Sequence, residues 1–467
     1  MSDAERAATA VDLTKPSKAY QRLDDYSHLY ERGITDWVND IYPSYTVDEA
    51  AAEITRYGYS IADTNDNGTV ALTYSFTQEQ PANYDTGLGD FSAFSERQEG
   101  QARLAMRSWA DVTNLTFKEA PSGGEAHLSL ANYSAANGAT AFAYYPTGGE
   151  HDGESWYHVS ANDQDNAQAT LNSYGRQVLV HELGHNLGLA HPIDYDIELG
   201  FSGEYAEDST GYTVMSYWSE TGSGQNFKGA YASAPLMDDI ASVQLLYGAN
   251  LDTRSGGTVY GFHSNSNREE MIATSATSKV VFSVWDGGGV DTLDFSGYHT
   301  NQRIDLHPTG FSDVGGPIGN VSIAQGVNIE KAFSGSGNDY LIGNGSANEI
   351  KGNAGNDLLA GEQGADKLWG GAGADTFVYF TEADSTKAAP DRLMDFVSGQ
   401  DRIDLSGLPV DGSDTLHFAS TLNGTAGAAV LREAGYGTSL AIDFDGDQAA
   451  DFFLKILGDA QTSDILV

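Results

Sequence analysis

Apolar and polar positions follow two different periods along this chain, and the change comes near residue 248. Residues 1 to about 20 are small, polar and charged, which reads as a loose tail or leader. Residues 46–58 place Ala and Ile on one face of a helix, and residues 69–76 alternate as a half-buried strand does. Residues 92–112 read as a long amphipathic helix with Phe94, Leu104, Met106 and Trp109 among its apolar positions. Strands are predicted at 115–120, 126–133 and 139–146. A helix should run from about Ser173 into a cluster of histidines, and another should span 235–248. This is an α+β pattern of roughly 230 residues. Beyond it helical periodicity stops, Gly, Asp, Asn and Ser rise, and the remainder is expected to be all-β.

That second half repeats itself. From Ser334 the chain divides into "SGSGNDYLI", "GNGSANEIK", "GNAGNDLLA", "GEQGADKLW" and "GGAGADTFV". The sixth position holds Asp339, Asn348, Asp357, Asp366 and Asp375, and the eighth holds Leu341, Ile350, Leu359, Leu368 and Phe377. An earlier partial copy, "DGGGVDTLD", begins at Asp286. Glycines permit tight turns with inward carbonyls. Aspartate supplies the hard oxygen that calcium prefers. The apolar eighth residue suits a short strand stacked on its neighbours. The units resemble the glycine/aspartate nonapeptides that bind calcium. One copy would read as a flexible linker; five in unbroken register do not.

The candidate chemistry lies in "HELGHNLGLAHP", beginning at His181. His181 and His185 share a helical face, so both imidazoles can reach one ion. Gly188 can adopt positive φ and end the helix, which lets His191 return as a third ligand. Three nitrogen ligands leave a position open, the arrangement of a catalytic rather than a structural zinc. Glu182 adjoins the first ligand and suits a general base acting on water. Downstream, "YTVMSYW" carries Met215 and Tyr217.

Composition narrows the classes. With 24 Lys and Arg against 66 Asp and Glu, the net charge is −42, which argues against nucleic acid or an anionic membrane surface as partner and favours binding of many cations. There is no cysteine, so disulfides and thiolate metal sites are excluded. The N-terminus lacks the apolar segment of a signal peptide, and no apolar run approaches a membrane span. Export, if it occurs, is expected by a route that does not read the N-terminus.

Taken together, "HELGHNLGLAHP", "VMSYW", "APLMDDIASVQLLYGAN", "VFSVWDGGGVDTLDFSGY", the nonapeptides and the ending "SDILV" resemble the serralysins, secreted bacterial zinc metalloproteases with calcium-binding repeats. The resemblance spans nearly the whole chain. It implies an α+β metzincin catalytic domain followed by an all-β parallel β-roll or β-sandwich, with a leader or propeptide at 1–18, the protease at 19–250 and the calcium-binding roll at 251–467. It implies a broad endopeptidase active outside the cell on proteins and peptides, with one catalytic Zn2+ and several structural Ca2+. Met215 would be the Met-turn methionine, and Tyr217 an extra zinc ligand and oxyanion stabiliser. Taken alone, an aromatic beside Trp218 is more often packing or rim.

Calcium ligands carry over residue by residue. Arg254, Gly256 and Thr258 match one loop, and Asp286, Gly288, Gly289 and Asp291 its partner. Asn328 and Glu330 match the entry to the repeats, with Asn328 in place of the usual threonine. Gly335, Gly337 and Asp339 follow, then Ser346 and Asn348, then Gly352, Asn353, Ala354, Gly355 and Asp357, then Gly361, Gly364 and Asp366. The last are Gly370, Gly371, Ala372, Gly373 and Asp375, with Asp384, Asp391 and Asp401 beyond. Ser334, Asn344 and Asn353 stand where the family more often has glycine. The resemblance also implies a monomer, an ATP-driven type I exporter reading the C-terminal signal, and a small proteinaceous inhibitor as partner. It implies no nucleic acid and no membrane insertion.

Two other readings stay open on the sequence. One is a calcium-dependent adhesin with a relict zinc site, and the other a metal hydrolase of non-peptide substrates. Intact Glu182, His181, His185 and His191 weigh against the relict.

Overall fold

A computed structural model describes residues 10–12, 15–33, 42–64, 67–121, 126–135, 139–194, 205–408 and 415–466. Leader residues 1–9 and 13–14, and Val467 of the C-terminal ending, lie outside the described residues.

The catalytic half is one twisted sheet with helices packed on it. Strands β2 (Val70–Phe76), β3 (Leu115–Glu119), β4 (Leu128–Tyr133), β5 (Ala141–Ala143) and β6 (Glu154–His158) lie in the order β3-β2-β4-β6-β5. All neighbours are parallel except the edge strand β5, which runs antiparallel to β6. β6 escaped the sequence reading because "ESWYH" is buried on both faces at four of its five positions and so does not alternate.

Helix α2 (Val47–Ile54) starts at a capping box of Thr46 and Glu49, and α3 (Glu96–Val112) at one of Ser95 and Gln98. Each box satisfies two backbone N–H groups that a helix start leaves open. Helices α4 (Tyr174–Asn186) and α5 (Met237–Tyr247) complete this half. Trp109 of α3 is fully buried, and its indole N–H donates to Val180 O at 3.2 Å, fixing α3 against α4.

Residues 10–12 and 15–20 are not simply loose. Strand β1 (Ala10–Asp12) pairs antiparallel with the strand Thr415–Phe418. Ser17 caps helix α1 (Lys18–Ser27) and also bonds Asp404 and Ser406 of the roll. Leu23 and Tyr26 pack against Ile342, Leu358, Ala360 and Val378. The helix that opens the region assigned to the protease therefore sits on the roll. Its apolar contribution is too short a pattern to reveal its destination.

In the roll each nonapeptide gives one short strand, and successive strands alternate between two parallel sheets. Tyr340–Ile342, Leu358–Ala360 and Thr376–Val378 pair in one sheet, while Glu349–Lys351 and Lys367–Trp369 pair in the other. The register brings Leu341, Leu359 and Phe377 into line, and Ile350 with Leu368, so neighbours in space are two repeats apart. All five of these eighth-position side chains are fully buried.

Turns two repeats apart also touch. A Cβ on Gly355 would lie 1.8 Å from Gly337 O, and one on Gly373 would lie 1.5 Å from Gly355 O. Glycine at 355 and 373 is thus required by close approach, as well as by φ values of +132° and +146°, whereas Ser346 holds the fourth position of the second repeat. An antiparallel ribbon of Ala428–Ala434, Gly437–Asp443 and Phe452–Ile456 extends the larger sheet, with Thr415–Phe418 and then β1 at its end.

The two halves are joined by charge, since Arg254 and Arg268 both pair with Asp111 at the end of α3; within the catalytic half Arg32 grips Asp238 of α5.

Leu23→Ala should cost about 2–5 kcal/mol, the range for a fully buried leucine. A lowered thermal midpoint of the full chain checks this; an unchanged midpoint would mean that α1 is not part of the roll's core.

Candidate metal centre

Helix α4 is buried from Gly175 to Asn186, so its polar residues must find partners inside the protein. His181 Nδ1 donates to Val214 O and His185 Nδ1 to Leu189 O, each at 2.7 Å. Those bonds fix both tautomers and turn each Nε2 into an acceptor. Both acceptors then face His191 Nε2, at 3.3 Å from His181 and 3.1 Å from His185. Two lone pairs converging on a third ring nitrogen cannot all be satisfied by hydrogen bonds; they suit a cation. Burial is the largest influence on the rings, holding His181 near a pKa of about 4 and His191 near about 3, with His185 well below the usual value. All three are neutral at physiological pH, as metal ligation requires.

The helix stops as the sequence implies. Gly188 has φ +100°, and a Cβ there would lie 2.1 Å from Tyr59 O. Met215 lies fully buried beneath the cluster, close enough that a Cβ on Gly184 would meet its sulfur at 2.6 Å. The turn carrying Val214 and Met215 is held by Asp239, which accepts from Thr213 Oγ1 at 2.5 Å and from the backbone N–H groups of Val214 and Leu236, each at 2.8 Å. Asp239 was missed by sequence reasoning, since nothing local ties it to the histidines.

Glu182 is buried, and its Oε2 has no hydrogen-bond partner among the described residues. Burial pushes its pKa up to about 8. Tyr217 stands half-exposed at the rim, with its ring 4.3 Å from that of His191 and 5.9 Å from that of His181. Burial, then the charge of Glu182, raises its pKa to about 12. The phenol thus remains a donor at neutral pH.

Two similarities bear on this geometry. Residues 249–467 match the family described as peptidase M10 serralysin C terminal, and residues 69–197 match matrixin. Metalloprotease AprA of Pseudomonas entomophila is 55% identical, covering 99% of this chain and 98% of that protein. Serralysin C of Dickeya chrysanthemi is 45% identical, covering 97% of each. The chain belongs to the serralysin family. Like other serralysins it is a metalloendopeptidase with a metzincin catalytic domain and an all-β parallel-strand domain, and its substrates are proteins.

The roll residues carried over from the serralysins fall into two groups. Asp291, Asp357, Asp366, Asp375 and Asp391 each bury one carboxylate oxygen that has no hydrogen-bond partner among the described residues. The other oxygen of each accepts a backbone N–H: Asp357 takes that of Asp339 at 2.8 Å, and Asp375 that of Asp357 at 2.9 Å. Asp286, Asp339, Asp384 and Asp401 instead find protein donors for both oxygens. Arg254 sends its guanidinium to Asp111 and to Trp285 O, next to Asp286. Asn328 and Ser346 bond each other, and Asn328 also bonds Glu330. The carboxylates of Asp443, Asp445 and Asp447 also converge to within 4.8 Å, a grouping the D-x-D-x-D spacing could have flagged.

Burial raises Asp291 and Asp366 to about 7, Asp375 to about 6 and Asp357 to about 8, against an ordinary 3.8. A carboxyl whose folded pKa exceeds its unfolded one stabilises the fold while protonated, and loses that contribution as pH rises through the folded value. The depressed histidines act oppositely, but their contribution is complete above 6.5. With chelator present, the thermal midpoint should therefore fall as pH rises from 6.5 to 8. A flat or rising midpoint would contradict these shifts.

Proposed function

We propose that the chain is a secreted zinc endopeptidase of broad specificity, with Zn2+ held by His181, His185 and His191, Glu182 as general base, and Ca2+ in the turns of the roll. The observation that carries this is the pair of fixed Nε2 acceptors facing His191, with the unpartnered Oε2 of Glu182 in the adjoining helical position.

A zinc ion there would polarise the scissile carbonyl and make water nucleophilic near neutral pH. The protein groups do the rest. Glu182, adjoining the first ligand on the rigid α4, takes the proton from the attacking water and returns it to the departing amine. Its buried setting favours holding that proton between the two events. Tyr217 at the rim donates its phenolic O–H to the oxygen charge that develops on the scissile carbonyl, or supplies a further metal ligand.

In the roll, Asp291, Asp357, Asp366, Asp375 and Asp391 supply the oxygens that lack protein donors, joined by the inward carbonyls of their turns. Asp286, Asp339, Asp384 and Asp401, and the neutral Asn328 and Asn348, serve through weaker or shared contacts. Calcium binds ionised carboxylates, so it opposes the raised pKa values. Little free calcium inside the cell would keep the roll open for an exporter that reads the acidic-then-apolar C-terminus, and external calcium would close it. The leader at 1–18 is a propeptide whose removal would free the edge strand Thr415–Phe418.

Glu182→Gln should keep zinc bound and lower peptide hydrolysis by ~10²- to 10⁴-fold, the worth of general acid–base help. Zinc content and turnover of a quenched peptide check it. Near wild-type turnover would remove Glu182 from the reaction.

A further inference from the structure

Tyrosine rings gather on one flank of the three histidines without entering the core. The ring of Tyr145, just past the edge strand β5, lies 5.2 Å from that of His185 and is turned 75° to it. Tyr59 stands 5.5 Å from Tyr145, and Tyr57 stands 5.5 Å from Tyr59 and 6.2 Å from Tyr145, so the three rings form one cluster. None belongs to the buried core. Tyr59 and Tyr145 are half-buried, and Tyr57 is 42% exposed.

The surroundings hold this cluster in place. Asn186, fully buried one residue past His185, donates through Nδ2 to Tyr144 O at 3.1 Å and to Glu154 O at 3.2 Å. Glu154 O also accepts from Tyr144 N at 3.0 Å, so the chain leaving β5 is tied to α4 beside Tyr145. Tyr57 donates its hydroxyl to Asp194 Oδ1 at 2.6 Å. The Arg56 guanidinium, which donates to His191 O at 2.6 Å, lies 4.6 Å over the Tyr57 ring. The Tyr59 carbonyl sits against Gly188, where a Cβ would meet it at 2.1 Å. Burial raises Tyr145 to about 12, so at neutral pH it carries no phenolate charge.

Tyrosine offers a large, rigid, amphipathic surface that costs little rotamer freedom when it binds. An extended peptide advances about 3.3 Å per residue. With Tyr145 only 5.2 Å from a ligand ring, the cluster lies within roughly two residues of a peptide bond held at the histidines.

We propose that Tyr57, Tyr59 and Tyr145 form a subsite for a large apolar side chain of the protein substrate, close to the scissile bond. This rests on the reading of the three histidines as the centre where cleavage occurs. The half-open shelf favours Phe or Leu at one substrate position and excludes nothing, which leaves the enzyme broad in specificity.

The test uses the full-length enzyme and quenched peptides. One position at a time, among the three on either side of the cleaved bond, carries Gly, Glu, Leu or Phe. The ratio of kcat/KM for Phe to that for Gly is read within each variant, so a partial loss of zinc or fold cancels. The wild type should favour Phe and Leu over Gly and Glu by ~10-fold at one position, the low end for an apolar pocket. Tyr145→Ala should bring that ratio close to one, and Tyr57→Ala should lower it less. Tyr145→Phe, which keeps the ring, should retain it. Should Tyr145→Ala fail to fold, Tyr57→Ala at its exposed position decides.

An even profile at every position, or a preference that both alanine variants leave intact, would overturn the proposal. A parallel assay of enzyme stripped by chelator separates the two claims. If hydrolysis needs zinc but ignores the tyrosines, the subsite fails alone; if hydrolysis persists without zinc, the histidine centre is removed from the reaction and the subsite with it.

Discussion

Buried acceptors without donors are the constraint on which this molecule turns. The fold carries the Nε2 atoms of His181 and His185, one oxygen of Glu182 and one oxygen each of Asp291, Asp357, Asp366, Asp375 and Asp391 into its interior, and for these it provides no adequate hydrogen-bond donors among the described residues. An unsatisfied buried polar group costs about 1–3 kcal/mol, more when charged. Chains rarely keep so many unless something else satisfies them. In the proposed reading, a cation at the end of α4 and cations in the roll would do so, and the first of these would also supply the reaction.

Much of the rest of the structure can be understood as support for those acceptors. Asp239 fixes the turn whose Val214 carbonyl orients His181, and Met215 of that turn packs against Gly184, which must be glycine to admit the sulfur. Asp111 joins α3 to the roll through Arg254 and Arg268, while Trp109 joins α3 to α4. The loop of Arg254 and the helix of His181 and His185 are therefore linked in one packed chain of contacts. The net charge of −42 belongs to the same picture, since self-repulsion opposes the compact state unless cations are present.

The parts legible in the sequence are those written in short, local spacing. The separation of His181 from His185, the turn at Gly188 and the eighth-position apolar residues each place a side chain within one element or one turn, and all stand where the spacing put them. What could not be read depends on contacts between distant segments. Helix α1 lies on the roll because Leu23 and Tyr26 meet Ile342 and Leu358, more than 300 positions later. Asp239 and Arg56 act on backbone groups far along the chain, and neither has a motif of its own. Strand β6 failed the alternation test because both its faces are covered. The nonapeptide spacing does not distinguish Asp357, with an open oxygen, from Asp339, whose oxygens both accept from the backbone.

The central claim is that cations complete a fold the chain leaves unsatisfied. Amide hydrogen exchange of the full chain, in chelator and then with Ca2+ and Zn2+ added, tests it most directly. The account predicts rapid exchange in chelator at Leu358–Ala360, Lys367–Trp369 and Thr376–Val378, and slow exchange there once calcium is present. It also predicts that zinc slows exchange in residues 186–194 beyond what calcium achieves. Equal protection with and without the ions, in both regions, would contradict it.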